Sequence, residues 1–211
     1  MKDFTELSKM VETGKVKVVK QLVEAAIAEG ESPKDILESG LLPGMSAIGE
    51  KFKNNEVYVP EVLIAARAMN AGVALLKPLM TAGEITAPGT LVIGTVKGDL
   101  HDIGKNLVKM MMEGKGINVV DLGVDVSAEQ FVQAAIDNNA QIICCSALLT
   151  TTMGEMEEVV KVAKAKGVRD NLFIMIGGAP ITQDYCDRIG ADCYTSDAAS
   201  AADAAIEYLT K

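Results

Sequence analysis

Up to about residue 82 the apolar positions of the chain recur at helical spacing. From about residue 90 they gather instead into short unbroken runs. In "VPEVLIAARAMNAGVALLKPLM", Pro60 stands at a helix start and Leu63, Ala66, Met69 or Asn70, and Val73 follow along one face. "SPKDILESGLLPGMSAIGEKF" opens with Ser32 as N-cap and Pro33 at the first helical position, where its missing N–H costs nothing. Two shorter helices are predicted over 4–13 and 16–29. Four helices with short connections predict a small bundle.

"TAGEITAPGT" (81–90) reads as a linker by its Gly, Pro and Thr content. Beyond it, strands are predicted at 91–96, 117–122, 142–147, 172–176 and, weakly, 192–195. Helices are predicted between and after them at 103–115, 127–138, 153–166, 181–189 and 197–209. Five βα units with almost continuously apolar strands imply a parallel sheet covered by helices on both faces. Such α/β sheets bind ligands at the carboxyl ends of their strands.

Composition narrows the function. Of 211 residues 49% are hydrophobic, enough for a proper core, but there is no Trp and only four Tyr and four Phe. Scarce aromatics and a formal charge of −9 argue against a nucleic-acid partner. The N-terminus lacks the apolar core of a signal peptide, and no window approaches 18 consecutive apolar residues, so no membrane span is expected. Cys144, Cys145, Cys186 and Cys193 form no C-x-x-C pair, and the plain expectation is a cytoplasmic protein with buried thiols.

One histidine changes the picture. "VKGDLHDIGKNLV" follows the first apolar run and holds His101, the single histidine of the chain, where a strand hands over to a helix. One histidine without paired cysteines cannot build a four-ligand zinc site. Gly94, Gly98 and Gly104 are spaced 4 and 6 apart, which is not a dinucleotide fingerprint, and Lys105 is followed by Asn106 rather than the Ser or Thr of a phosphate loop. A Ser–His–Asp triad with distant Ser146 lacks the G-x-S-x-G elbow. A single imidazole does suffice for a metal whose equatorial ligands come from a macrocycle, as in haem or corrin. Asp99, two residues earlier, is placed to hold the other ring nitrogen. Gly98 and Gly104 would let backbone approach a bulky ring.

Asp99-Leu100-His101-Asp102-Ile103-Gly104 resembles the D-x-H-x-x-G signature of the cobalamin-binding domain of methyltransferases. Ser146-Ala-Leu148 in "CCSALLT" and Gly177-Gly178 in "IMIGGAP" match the rest of that signature, in the right order. "MSAIGEKFKNNEVYVPEVLIAARAM" is similar to the helical cap that precedes that domain. The fold so implied is α/β: a four-helix cap over 1–85, then a Rossmann/flavodoxin-like five-stranded parallel sheet over 86–211.

The resemblance implies a role for each matching position. His101 is the lower axial ligand to cobalt and Asp99 its hydrogen-bond partner, adjusting its proton with the oxidation state of the metal. Thr152 stands where methionine synthase has the serine that completes the relay. Gly98, Leu100, Asp102 and Gly104 border the corrin. Ser146, Leu148 and Thr150 line the slot for the nucleotide tail, Gly177 and Gly178 leave room for it, and Ala198 lies near its end. In the cap, Phe52 and Val59 cover the methyl face and Glu38 makes a polar contact to the ring.

A chain of cap plus cobalamin domain is similar to free-standing corrinoid proteins. The implied function is a carrier that accepts a methyl group on Co(I) from a substrate-specific methyltransferase. It then hands methyl-Co(III) to a second methyltransferase, whose acceptor is tetrahydrofolate or a thiol such as coenzyme M. A reductive activase is a further expected partner, little activity is expected of the chain alone, and a mobile linker near 81–90 would let the cap move aside. The alternative is a cobalamin-dependent sensor or regulator. A mutase small subunit would lack the helical cap, and a flavodoxin-like nucleotide binder would not need the whole signature.

Overall fold

The computed structural model describes residues 3–80 and 87–211. Most of the expected linker, 81–86, lies outside the described residues. The chain divides into two compact units: Met1–Thr86 with Gly114–Gly116, and Ala87–Glu113 with Ile117–Lys211.

The first unit is helical. It holds α1 (Thr5–Glu12), α2 (Val16–Ala28), α3 (Pro33–Asp35), α4 (Leu42–Lys53) and α5 (Val59–Leu76). Ser32 caps α3 by accepting the Asp35 amide, as the sequence predicts. The predicted helix from Ser32 is not uniform, because a wider π-helical segment, Ile36–Leu41, joins α3 to α4. The Ser8 hydroxyl of α1 donates to the Gly40 carbonyl of that segment at 2.8 Å. Helix α1 packs there with little space. A Cβ on Gly40 would come within 2.6 Å of Leu7 Cδ2, and one on Gly44 within 2.5 Å of the Ser8 carbonyl oxygen.

Helix α5 and its 3-10 extension, Val59–Leu79, are long and apolar enough to cross a membrane by length and composition alone. No consecutive apolar run announces this, because Glu61 and Arg67 interrupt it. Its residues Val62, Ala65, Ala66, Ala68, Met69 and Leu76 are buried, and the helix packs on α2 and α4 as the centre of the bundle.

The second unit is a doubly wound sheet. Its strands are β1 (Thr90–Thr95), β2 (Asn118–Asp121), β3 (Ile142–Ser146), β4 (Phe173–Gly177) and β5 (Cys193–Tyr194). They lie in the order β2-β1-β3-β4-β5, every neighbouring pair parallel. Helices α6 (Ile103–Gly114), α7 (Ala128–Asp137), α8 (Gly154–Ala165), α9 (Gln183–Ile189) and α10 (Ala198–Leu209) connect and follow the strands. Each predicted element is present, with bounds shifted by one or two residues. Ser127 and Gln130 form a capping box on α7, Thr182 and Asp197 cap α9 and α10, and α9 ends on left-handed Gly190.

On one face of the sheet Val92, Ile143, Cys145, Ile174 and Ile176 pack against Phe131, Val132, Met156, Val159 and Val160. Cys144 alternates with Cys145 along β3 and is also buried. All four cysteines are free thiols. Burial, with Cys193 nearby, pushes the Cys144 thiol up to about 12, so it stays neutral and packs as a small hydrophobe.

Candidate functional site

Thr95, Ser146 and Gly177 sit side by side in register at the carboxyl ends of β1, β3 and β4. The chain leaves β1 toward β2 on one side of the sheet and reaches β3 on the other, so the edge between β1 and β3 is the topological switch point. The loops after these strands, 97–102, 147–153 and 178–182, meet there.

The first loop turns at Gly98, whose φ of +79° favours a residue without a side chain. This gives Gly98 a backbone reason to be glycine, beyond the close approach expected from sequence. The turn sends Asp99 inward, where it is fully buried. Its carboxylate is shared between two loops. Oδ1 accepts the His101 amide at 3.1 Å and pairs with His101 Nδ1 at 2.7 Å. Oδ2 accepts the amides of Leu148 and Leu149 at 2.7 and 3.2 Å and lies 3.0 Å from the Thr152 hydroxyl. Burial by itself pushes this carboxyl up. The amide of Leu148, the ring and amide of His101 and the amide of Leu149 together outweigh burial and hold it well below the usual carboxylate range. Asp99 is therefore an anion that only accepts hydrogen bonds, which fixes the proton of neutral His101 on Nδ1 and leaves Nε2 with the lone pair.

The imidazole is 52% exposed. Beside it in sequence, Leu100 and Ile103 are 71% and 78% exposed, and Leu148, Leu149 and Val124 are also large apolar residues facing water. Single exposed apolar side chains are ordinary, but four in the loops and a fifth at the start of α6, all at one end of the sheet, suit a surface made for contact. The glycines agree. A Cβ on Gly104 or Gly177 would meet no atom within 4 Å, and neither holds a positive φ, so nothing in the chain itself demands glycine at either place. At Gly178 the demand is internal, since a Cβ there would stand 1.8 Å from the Ala147 carbonyl oxygen.

Of the residues singled out from sequence, Asp99, His101 and Thr152 come together in one hydrogen-bonded chain. Gly98, Leu100, Asp102 and Gly104 share the His101 loop and the start of α6. The Asp102 carboxylate accepts from the Asn106 side chain at 3.0 Å and the Asp102 carbonyl from the Asn106 amide, which opens α6. Half-buried Ser146 ends β3, with Leu148 and Thr150 exposed just beyond, and buried Ala198 is the first residue of α10. Glu38, Phe52 and Val59 belong to the helical unit. Glu38 is exposed on the π-helical segment, 3.8 Å from Lys34, while partly buried Phe52 and Val59 lie near the end of α4 and at the start of α5.

Sequence reasoning missed three contributors: the Leu149 amide, Thr95 and Lys105. Thr95 is fully buried and its hydroxyl donates to the His101 carbonyl at 2.9 Å. A threonine at the end of the apolar run "TLVIGTV" was the available signal. Lys105 is 3% exposed and its ammonium reaches Asp121 Oδ1 at 2.6 Å and Asn106 Oδ1 at 2.8 Å, tying the start of α6 to the end of β2.

Among the described residues no group of three or more His, Cys, Asp or Glu could hold a metal ion. The site thus offers one imidazole nitrogen, a buried anion behind it and an apolar, glycine-bordered surface. It defines a class of α/β protein that takes a metal already ligated by a large ring. The family comparison agrees on independent grounds, matching residues 89–206 to a "B12 binding domain" and residues 4–77 to a second domain of the same description. The chain belongs to the B12-binding corrinoid proteins.

Dimethylamine corrinoid protein 1 of Methanosarcina acetivorans is 44% identical over 205 residues, 97% of this chain and 96% of the relative. Trimethylamine corrinoid protein 1 of the same organism is 44% identical over 180 residues, 84% and 83% of the two chains. Among solved structures, a chain of the methanol:cobalamin methyltransferase complex from Methanosarcina barkeri superposes with a TM-score of 0.88 at 30% identity, covering 96% of this chain and 78% of that one.

Proposed function

We propose that this chain is a methyl carrier. It takes a methyl group from a substrate-specific methyltransferase and yields it to a second one, with tetrahydrofolate or a thiol such as coenzyme M as acceptor. A reductive activase completes the partner set. The single observation that carries the reading is the chain Thr152–Asp99–His101 at the carboxyl edge of the sheet, ending in a half-exposed imidazole. The corrinoid, when bound, supplies a cobalt centre nucleophilic enough to accept a methyl group and able to release it.

The chain's own residues do the rest. His101 Nε2 is the nitrogen that would coordinate, because Asp99 occupies Nδ1. When the imidazole is ligated, Nδ1–H donates to Asp99. With Nε2 free, the buried carboxylate would still hold the ring through Nδ1 and would favour a proton on the imidazole over one on itself. The raised acidity of Asp99 supports placing the moving proton on the imidazole rather than on the carboxyl. Thr152, through Oδ2, completes the relay. Leu100, Gly104, Ser146, Leu148, Thr150, Gly177, Gly178 and Ala198 border the cofactor and its tail. In the cap, 1–85, Phe52 and Val59 would cover the methyl face and Glu38 would contact the ring, and the cap would have to move aside for each partner.

A methylamine is the favoured donor class. The dimethylamine and trimethylamine corrinoid proteins, each 44% identical to the chain, support this reading. The test is an absorbance spectrum after reconstitution with hydroxocobalamin, beside His101→Ala. The carrier reading expects one corrinoid per chain and imidazole ligation that His101→Ala converts to a base-off spectrum. Failure of both proteins to retain corrinoid would overturn it. Methyl transfer from dimethylamine and trimethylamine, each with its methyltransferase, then tests the donor class against methanol.

A further inference from the structure

The loop that carries His101 is tied down from outside at three successive points. The Asp125 carboxylate, in the turn after β2, accepts the Gly98 amide at 2.7 Å. The Asp125 amide donates to the Asp99 carbonyl at 3.1 Å. The Thr95 hydroxyl donates to the His101 carbonyl at 2.9 Å. The turn that supplies Asp125 is itself laced to the end of β1, by the Thr95 amide to the Gly123 carbonyl and the Val126 amide to the Thr95 carbonyl, at 2.9 and 3.0 Å.

Asp125 adopts a φ of +57°, a sparsely populated conformation for a residue with a side chain. Glycine would hold that angle without steric cost, as Gly123 does two residues earlier at +81°. An aspartate where glycine fits more easily points to use of its carboxylate. Thr95 makes a parallel case, as a fully buried hydroxyl at the end of a strand whose middle, Leu91–Gly94, is apolar, spent on the backbone of the histidine.

We propose that Asp125 and Thr95 are positioning residues for the His101 imidazole. They fix the backbone of Gly98, Asp99 and His101 so that the ring stands in its coordinating orientation before any cofactor arrives. The inference rests on the reading of His101 as the cobalt ligand.

The test reconstitutes full-length Asp125→Gly, Asp125→Asn, Thr95→Val and Thr95→Ser with hydroxocobalamin and reduces them to the Co(II) state. Absorbance gives corrinoid per chain, and electron paramagnetic resonance gives the ratio of imidazole-ligated to base-off cobalt. Asp125→Gly removes the carboxylate without backbone strain, and Thr95→Val removes the hydroxyl at constant shape. Both are expected to lower that ratio by about tenfold at unchanged corrinoid content, the scale of a lost outer-shell partner. Asparagine and serine, which keep the accepting and donating oxygens, should restore it. A purely structural role would lower the melting temperature and leave the ratio alone, which would overturn the proposal. If one variant fails to fold, the other decides by the same criterion. Loss of fold in both would assign the pair to stability and likewise overturn it. A wild type without imidazole ligation would sink the parent reading and this one together, whereas a ligated wild type with unchanged variants would sink this one alone.

Discussion

Gly178 and Ala147 approach so closely that a Cβ on the glycine would stand 1.8 Å from the alanine carbonyl oxygen. The contact is backbone to backbone, so no side chain can rotate out of the way. Gly178 also holds a φ of +135°. Gly178→Ala should therefore destabilise the apo protein by at least about 3 kcal/mol in urea unfolding. Its neighbour behaves oppositely. Gly177→Ala meets no atom within 4 Å and should change apo stability by no more than about 0.5 kcal/mol. It should nevertheless weaken hydroxocobalamin uptake, measured by equilibrium dialysis. Unchanged uptake would show that the space over Gly177 is not used.

Asp99 allows a sharper test of the network. Both oxygens face only donors, so an asparagine must turn its NH2 toward N–H or O–H groups whichever way it is flipped. Asp99→Asn should cost about 1–3 kcal/mol of apo stability. Retention of wild-type stability would mean that the donors find other partners.

The same carboxylate gives the fold an acid sensitivity of known sign. Its acidity is raised in the folded state, so between the folded value and the unfolded value of about 3.9 the unfolded chain binds more protons. Stability from Asp99 is complete above that unfolded value and drains away as pH falls through the window below it. Asp121 is shifted the same way: burial opposes the shift, while Lys105, the Gly123 amide and Lys109 more than offset it. Unfolding free energy of the apo protein should fall from about pH 5 toward pH 2, and Asp99→Asn should flatten the fall. A slope unchanged in the variant would exclude Asp99 as its source.

At Thr152, hydroxyl and methyl can be separated. Thr152→Val keeps the shape and removes a donor that Oδ2 shares with two amides, a loss of about 1 kcal/mol. Thr152→Ser keeps the donor and loses one buried methyl, about 0.8 kcal/mol. The two should therefore melt alike but differ in imidazole ligation after reconstitution, with only valine disturbing it. Equal spectra would leave Thr152 outside the relay.

Much of this site was legible because its centre is local. Asp99 and His101 lie within one loop after a continuous apolar run and Gly104 in the first turn of the helix that follows, so spacing alone brings them to a strand's carboxyl end. The five strands were legible because a sheet buried on both faces must be written in unbroken apolar runs. What escaped depends on register between distant segments. Leu149 acts through an amide, and an amide has no signature in the sequence. Asp125 resembles any charged loop residue until β2 is placed beside β1. The π-helical widening at Ile36–Leu41 was hidden for a related reason, since it lies where α1 packs closely on Gly40 and Gly44, a contact between segments far apart in sequence.

The Thr152 oxygen lies 3.0 Å from Asp99 Oδ2 and also 3.0 Å from the Leu149 carbonyl oxygen, yet it carries one hydrogen. The two acceptors compete for it. When the hydrogen swings to Leu149, the face turned to Asp99 becomes a lone pair and Oδ2 loses one of its three donors; when it swings back, the donor returns. This rotor can answer a change of charge at the imidazole without displacing a heavy atom, on the picosecond-to-nanosecond scale of rotations about single bonds.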